Sequence, residues 1–202
     1  LRLNEMATGD QSGSWGTVTN TNLELIGEAF GYGTEAITTN ADTHTTTIAD
    51  GASDAGRSMF LKYTGTLDSA CTITIGPNTV SKMWFIENAT TGSQNIIISQ
   101  GSGADVTIPA GQTKSVYSDG AGAGAAFVDA FNSLSVGALA SAGAISGTTG
   151  TFSGAVAGTT GTFSGAVTGA AATLGGITYP TSDGTSGQAL VTNGSGTVSF
   201  GS

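Results

Sequence analysis

The sequence predicts an all-β protein with a short N-terminal anchor segment containing one short helix, a compact β-sandwich-like domain, and a repetitive, intertwined trimeric β shaft. Three observations predict this fold class. Glycine makes up 33 of the 202 residues and only 9% of the residues are charged, a composition of short strands and turns. Short apolar runs recur about every ten residues between 58 and 131. An 11-residue unit occurs twice in succession, at 147–157 and 158–168.

The N-terminal segment, residues 1–40, holds the only helical pattern in the sequence. Leu23, Ile26 and Phe30 fall at positions i, i+3 and i+7, which places them on one face of a helix. The polar residues 20–22 offer caps for its start, and the glycines that follow Phe30 offer an end. These apolar side chains have little core of their own within the segment. Two interpretations stay open: they pack on their own domain, or they contact another protein.

The connector, residues 41–57, is rich in Thr and Asp and contains the only histidine, His44. No Cys or His lies near it at ligand spacing, so the sequence predicts no metal site, and no cofactor motif occurs. The only cysteine, Cys71, alternates with apolar residues. We interpret it as a small core residue, with a reactive thiol as the alternative. A single cysteine forms no intrachain disulfide.

The charge balance is acidic, with 5 basic residues, 14 acidic residues and a net charge of −9. Binding to nucleic acid needs clustered Lys and Arg, so we expect no nucleic-acid partner, and docking on an anionic membrane is disfavoured for the same reason. No apolar run approaches the ~18 residues of a membrane span, and no signal peptide is apparent. The chain begins at Leu1 rather than Met, so we expect a piece of a longer protein.

Residues 58–131 are predicted to form the β-sandwich-like domain, because the regular strand spacing fits a sandwich or a barrel. Gly, Pro, Asn and Asp occupy the segments between the strands, as turns require. The strand at 82–88 carries apolar residues at successive positions, so we expect it to be central in its sheet. The predicted strands are Ser58–Thr64, Cys71–Ile75, Lys82–Asn88, Asn95–Ser99, Asp105–Ile108, Gln112–Ser118 and Ala125–Phe131.

Residues 132–178 are repetitive, and the two 11-residue units are identical at ten positions. Burying the one Phe and one Val of a unit returns roughly 3–5 kcal/mol, whereas ordering costs about 1–2 kcal/mol per backbone residue. A single chain therefore cannot bury the repeat against itself, and we predict a parallel homotrimer from about Leu134 onward. A flexible linker is the open alternative. The predicted trimer core consists of Phe152, Val156, Phe163, Val167 and Leu174.

The last segment, residues 179–202, is predicted to add a β-hairpin to the shaft. Two apolar runs, at 188–192 and 197–200, flank an Asn-Gly dipeptide at 193–194. Asn-Gly between two such runs is a strong short-range signal for a hairpin turn. The sequence therefore predicts an antiparallel pair of strands close to the end of the chain.

Three stretches of the chain carry a further signal: Leu3–Leu23, Phe85–Gly120, and the Phe-Ser-Gly-Ala-Val repeats together with Thr185–Leu190. In this order they resemble the tail fibres of bacteriophages, especially those of podovirus-type marine phages. The resemblance implies a homotrimer that resides in the virion. It also implies that the N-terminal end docks on the phage tail and that the distal end binds the host surface.

The resemblance assigns contacts to particular residues. Trp15, Leu23, Ile26 and Phe30 are expected to dock on tail proteins, adaptor or nozzle-like, or to anchor sister chains. Aromatic side chains commonly dominate such interfaces. The expected partners are two further copies of the chain and these tail proteins. Contact with a host receptor is expected only through a distal part not evident in this chain, and no membrane insertion is expected.

The function expected from these observations is structural: a virion protein that attaches the fibre to the tail and begins the shaft leading to host recognition. We expect no enzyme, because no nucleophile elbow, phosphate loop or zinc spacing occurs. Nothing selects Glu87 and Asp105 as the carboxylate pair of a glycosidase. Two alternatives stay open, a polysaccharide-degrading tailspike and a fragment of a cellular trimeric adhesin.

Overall fold

The computed structural model describes residues 1–136, 138–145, 173–174 and 176–201. The chain divides into two units, Leu1–Leu139 and Ala140–Ser202. The described part is mostly β-sheet, with one helix and with both parallel and antiparallel strand pairs. An all-β fold with a short helix is therefore present, as the composition predicts.

The first unit contains a helix and nine strands, with two short 3-10 turns at Ala55–Arg57 and Gly122–Gly124. Its elements are α1 (Trp15–Ala29), β1 (Tyr32–Ala36), β2 (Thr43–Thr47), β3 (Phe60–Thr64), β4 (Cys71–Gly76), β5 (Lys82–Asn88), β6 (Ile96–Ser99), β7 (Val106–Ile108), β8 (Thr113–Ser118) and β9 (Phe127–Asp129). The elements described in the second unit are β10 (Thr173–Leu174), β11 (Ile177–Thr178), β12 (Ala189–Thr192) and β13 (Val198–Gly201).

The chain of the first unit winds between two sheets. Strands β1, β3 and β5 lie side by side and parallel in the first sheet, and β2, β4 and β6 do so in the second sheet. Each of these strands therefore pairs with the strand two positions away in the chain. The last three strands pair antiparallel, so that the sheet orders are β1-β3-β5-β8-β9 and β2-β4-β6-β7.

The seven strands predicted between 58 and 131 are all present, and their ends differ from the prediction by at most two residues. Strand β5 is central in the first sheet, as predicted. The two sheets share one core, as in a sandwich, but their parallel winding differs from a sandwich of hairpins. Parallel neighbours need a crossover connection, and here the crossover is a strand of the opposite sheet. Strands β1 and β2 were missed, because they lie in the predicted anchor segment and the predicted connector.

One hydrophobic core fills the space between the two sheets. Trp84 of β5 is its largest residue: its indole Nε1 donates to the Gly56 carbonyl at 2.8 Å, and its ring centre lies 5.5 Å from that of Phe127. Cys71 is fully buried, and burial raises the pKa of its thiol, which confirms a core residue rather than a reactive thiol. The other core residues are Ile37, Ile48, Leu61, Tyr63, Leu67, Ile73, Ile75, Val80, Ile86, Ile96, Ile98, Val106, Ile108 and Val116.

The first turn of the winding carries polar groups where the later turns carry apolar ones. Glu35 of β1 and His44 of β2 meet between the sheets, with Oε1 and Nε2 2.8 Å apart. The hydroxyls of Thr46 and Tyr63 share a hydrogen bond of 2.7 Å, and burial raises the pKa of Tyr63 far above its ordinary value. One edge strand of each sheet, β1 and β2, therefore holds inward-facing polar residues, a feature that discourages edge-to-edge pairing with other chains.

The helix differs from its prediction at the start. Helix α1 begins at Trp15, well before the predicted caps at 20–22, and ends at Ala29, next to the predicted glycine stop. Asn22 lies inside the helix, and its side chain binds the backbone of Asn4 through Oδ1 and Nδ2, both at 2.9 Å. The first half of α1 is rich in Thr and Asn, which have low helix propensity. Tertiary contacts therefore outweigh local preference here.

The second unit contains the hairpin that the sequence predicts. Strands β12 and β13 pair antiparallel, and β10 and β11 form another antiparallel pair. The hairpin loop spans residues 193–197 and is longer than a two-residue turn. Asn193 closes this loop, because its Oδ1 accepts hydrogen bonds from the backbone of Ser195 at 2.8 Å and of Thr197 at 3.1 Å. Gly194 has a φ of 72°, which glycine adopts readily.

Candidate functional site

One side of α1 presents apolar side chains to solvent. Trp15, Leu23 and Phe30 are 67%, 60% and 68% exposed, and Ile26 is half-buried. On a helix of about 3.6 residues per turn, these four positions fall within roughly 80° of one another, with Phe30 directly after the last turn. We call these four residues the helix stripe. They are the residues that the sequence analysis selected for docking or anchoring.

The side of α1 next to the helix stripe holds the helix to the first unit. Leu25 and Ala29 are buried, and the hydroxyl of Ser53 donates to Glu28 Oε1 at 2.5 Å. These two buried residues were not predicted from the sequence, although their i, i+4 spacing is also a helical signal. The alternative was that the stripe packs on its own domain. Of the four residues, only Ile26 is covered by the chain, and it is only half-buried.

A second apolar surface lies on the outer face of the first sheet, and the sequence analysis did not select it. Tyr32, Phe60 and Phe85 are in register on β1, β3 and β5, and Met83 of β5 lies opposite Tyr117 of β8. We call these five residues the aromatic face. Four of them are between 42% and 61% exposed. No described segment of the first unit covers this surface.

The aromatic face is ordered by contacts among its own residues. The rings of Phe60 and Phe85 stack, with centroids 4.8 Å apart and planes inclined by 13°. At one end, the two carboxylate oxygens of Glu87 contact Lys62 Nζ at 3.3 Å and the Tyr32 hydroxyl at 3.3 Å. This polar group links three neighbouring strands. The surface therefore combines stacked rings with one balanced ion pair.

The sequence held a signal for the aromatic face. Strand β5 alternates the buried residues Trp84 and Ile86 with the outward residues Met83 and Phe85. Apolar residues on both faces indicate a strand covered on both sides. Within the first unit only the inner face is covered, so the outward residues are available to a partner.

The loop before β3 is organised around a buried guanidinium, that of Arg57. Its Nη2 donates to the carbonyls of Ala49 at 2.7 Å and Ala52 at 2.9 Å, and its Nη1 donates to the carbonyl of Leu1. The Asp54 carboxylate lies 3.4 Å from Nη2. A buried charge is tolerated when it is paired and hydrogen-bonded in this way. The cluster therefore fixes the N-terminus against the loop and is structural.

Lys82 lies beside this cluster. Its Nζ donates to the Arg57 carbonyl and lies 5.1 Å from the centre of the Trp84 ring. Burial lowers the pKa of Lys82 from 10.5 to about 8, the positive charge of Arg57 adds to this effect, and Asp54 opposes it. An unfolded chain keeps the ordinary lysine pKa, so above about pH 8 the unfolded state binds more protons than the folded state.

We expect the free energy of unfolding to increase as the pH rises from about 7.5 to about 9.5, and solvent screening of the partly exposed amine keeps the increase below about 1.4 kcal/mol per pH unit. The penalty of burying the charged amine is fully present below about pH 8 and decreases as the pH rises from there toward 10.5, the ordinary pKa of lysine, where the unfolded chain also loses the proton. Urea unfolding at each pH, followed by tryptophan fluorescence, measures this free energy of unfolding. The Lys82→Met chain is the control and should lack this increase. Parallel pH profiles for the two chains would contradict the prediction.

The other residues considered for chemistry are not brought together. Among the residues described, no group of three or more His, Cys, Asp or Glu side chains is placed to hold a metal ion. His44 is bound to Glu35. Glu87 belongs to the first sheet, whereas Asp105 directly precedes β7 of the second sheet. These two carboxylates therefore do not share a face.

Only one residue of the predicted trimer core falls among the described residues. Leu174 belongs to β10, where it is opposite Ile177 of β11. The trimer stays a prediction. The other four members lie outside the described residues: Phe152, Val156, Phe163 and Val167.

Comparison with known proteins gives no relative of this chain: no family model, no curated protein and no solved structure matches it. In the part of the chain that the structure describes, no helix is long and apolar enough to cross a membrane. The functional inference therefore depends on the helix stripe, the aromatic face and the order of the segments.

Proposed function

We propose that this chain is a structural virion protein, the virion-proximal part of a trimeric bacteriophage tail fibre. Residues 1–40 attach the fibre to the tail, and residues 132–178, with the hairpin that follows, begin the shaft leading to host recognition. The partners are two further copies of the chain and phage tail proteins, adaptor or nozzle-like. A distal part of the fibre contacts the host receptor, and the chain itself is not an enzyme.

The observation that carries this proposal is the helix stripe. Trp15 and Phe30 are 67% and 68% exposed, on a helix whose neighbouring side is held to the first unit. Aromatic side chains of this kind are typical anchors of protein interfaces. The net charge of −9 suits a partner with basic groups at its rim. The stripe therefore fits an apolar groove, bordered by Lys or Arg, on a tail protein.

The order of the segments supports the same proposal. The exposed helix comes first, a folded β unit follows, and the glycine-rich repeats come after it. An attachment element at one end and a repetitive element beyond the folded unit fit a fibre that leads away from the tail. The repeats supply extension, because each offers too little apolar surface to fold as a separate globule.

The proposal is tested by replacing the exposed stripe with Trp15→Ser, Leu23→Ser and Phe30→Ser. The three side chains are at least 60% exposed, so the first unit should keep its fold. A phage that lacks its fibre gene is complemented with the gene for the variant, and purified particles are probed for the fibre. We expect incorporation to decrease at least about tenfold, because aromatic anchors contribute most of an interface's free energy.

The matched control replaces three exposed polar residues of the same helix, Thr17→Ser, Asn20→Ser and Glu24→Ser. This chain should enter particles at the unmodified level. Normal fibre levels with the stripe variant would exclude the stripe as the attachment site. Loss of assembly of the isolated variant chain would instead assign the stripe to contacts between sister chains.

A further inference from the structure

The aromatic face has the extent of an interaction site. Four of its members are 42–61% exposed, and at about 150–250 Å² per aromatic side chain they leave roughly 400 Å² in contact with water. A patch of this size matches the largest apolar patch of a typical monomer, and such a patch is often functional. The helix stripe belongs to a different element, so the aromatic face needs a separate explanation.

The charges on the outer face of the first sheet indicate the kind of partner. Among the outward positions of its five strands, Lys62 and Glu87 are the charged residues, and they pair at 3.3 Å. The chain has a net charge of −9, so two copies repel each other over most of their surface. They meet no such repulsion at this neutral face. A basic partner, in contrast, gains no attraction here.

The ring geometry points to another apolar surface rather than to a sugar. The faces of Phe60 and Phe85 lie against each other at 4.8 Å, so these two rings direct their edges outward. A sugar ring stacks on the flat face of an aromatic ring, and the stack takes up one such face of each of these two rings. Ring edges instead fit between the side chains of a facing apolar surface, where edge-to-face contacts are favourable.

We propose that the aromatic face packs against the aromatic faces of other copies of this chain. This inference rests on the proposed fibre, which sets the number of copies at three. The surface at which the copies meet is taken from the first sheet. Around a common axis, each face contacts both neighbours. A stable interface buries about 800 Å² per partner, which is more than one aromatic face supplies.

In the proposed assembly the segment after β9 would supply further apolar surface. Strand β9 is an edge strand of the first sheet, and Phe131, Leu134 and Val136, which follow it, are 57%, 56% and 51% exposed. Copies that meet at the aromatic face bring these segments close together directly before the repeats. The aromatic face is thus the first layer of the assembly and sets the starting register of the shaft.

The test uses the whole 202-residue chain and single cysteines. Met83→Cys places a thiol in the aromatic face, and Thr74→Cys places a matched thiol on the outward side of the second sheet, at β4. Cys71 is buried and should stay unreactive in the folded chain. Each isolated chain is treated with copper phenanthroline, a small oxidant that joins two adjacent thiols as a disulfide without a spacer, and products are separated on a non-reducing denaturing gel. We expect crosslinked multimers from Met83→Cys, at least about tenfold more than from Thr74→Cys.

A monofunctional maleimide gives the second measurement, and the Met83→Cys thiol should react at least about tenfold more slowly than the Thr74→Cys thiol. Free labelling of Met83→Cys without crosslinking would overturn the inference, because the face would then be open. A Met83→Cys thiol that reacts slowly with maleimide but gives no crosslinked multimers would also overturn the inference, because something other than another copy would then cover the aromatic face. A crosslinked chain that fails to enter particles supports this interface and contradicts only the proposed tail attachment.

Discussion

Replacing Trp84 with alanine is expected to destabilise the first unit by about 3–5 kcal/mol. The side chain is fully buried in the centre of the core, and its removal leaves a large cavity beside Phe127. The substitution also leaves the Gly56 carbonyl without its indole donor, and an unsatisfied buried carbonyl adds to the cost. Domains are stable by only about 5–15 kcal/mol, so the loss is a large fraction of the total.

The matched control for this experiment is Trp15→Ala, which removes the same side chain from the exposed helix stripe. Its expected effect is within about 0.5 kcal/mol, as for most surface substitutions. Urea unfolding of both chains, followed by far-ultraviolet circular dichroism, gives the comparison. Similar losses for Trp84→Ala and Trp15→Ala would mean that the core of the first unit is not organised around β5.

The second large effect is expected in the repeats, at Phe163. If three chains bury this residue on a common axis, Phe163→Ala creates three defects per trimer, each costing roughly 3–5 kcal/mol. The melting temperature of the repeats should therefore fall far more with Phe163→Ala than with Thr160→Ala, which changes the same unit. Thermal unfolding of the full chain measures both. Equal, small decreases would show that Phe163 is exposed and would favour the flexible linker.

The strands from 58 onward could be predicted from the sequence because most of their inward positions are apolar. In β4, for example, Cys71, Ile73 and Ile75 alternate with Thr residues, and turn residues mark the ends. Strands β1 and β2 lack this pattern, since their inward positions include Glu35, His44 and other polar residues. These side chains satisfy one another across the sheets, a tertiary arrangement that periodicity does not reveal.

The parallel winding could not be predicted either. Alternation along a strand indicates which side chains face the core, but it does not indicate which strand is the neighbour. Short strands about ten residues apart suit hairpins as well as they suit a chain that crosses to the opposite sheet each time. The pairing of β1 with β3 joins residues such as Tyr32 and Phe60, which are far apart in the sequence.

For the candidate surfaces, the sequence located the helix stripe but not the aromatic face. Helical periodicity placed Leu23, Ile26 and Phe30 on one side, and the structure leaves most of that side exposed. The same periodicity allowed a second apolar side containing Leu25, and only packing distinguishes the two. The aromatic face depends on the register of Phe60 with Phe85, residues on separate strands, so no local pattern could assemble it.

The winding of β1 to β6 also determines when, during translation, each strand can pair with its neighbour in the sheet. When each of β3 to β6 leaves the ribosome, its parallel partner two strands earlier has already been synthesised, and β7 to β9 follow before the repeats are synthesised. N-terminal domains generally fold first during translation. In the proposed fibre, nascent chains would thus meet as folded first units. If the repeats pair as strands in that fibre, their glycine-rich sequence would specify the register weakly, and pairing after the first units have aligned would keep the repeats in register.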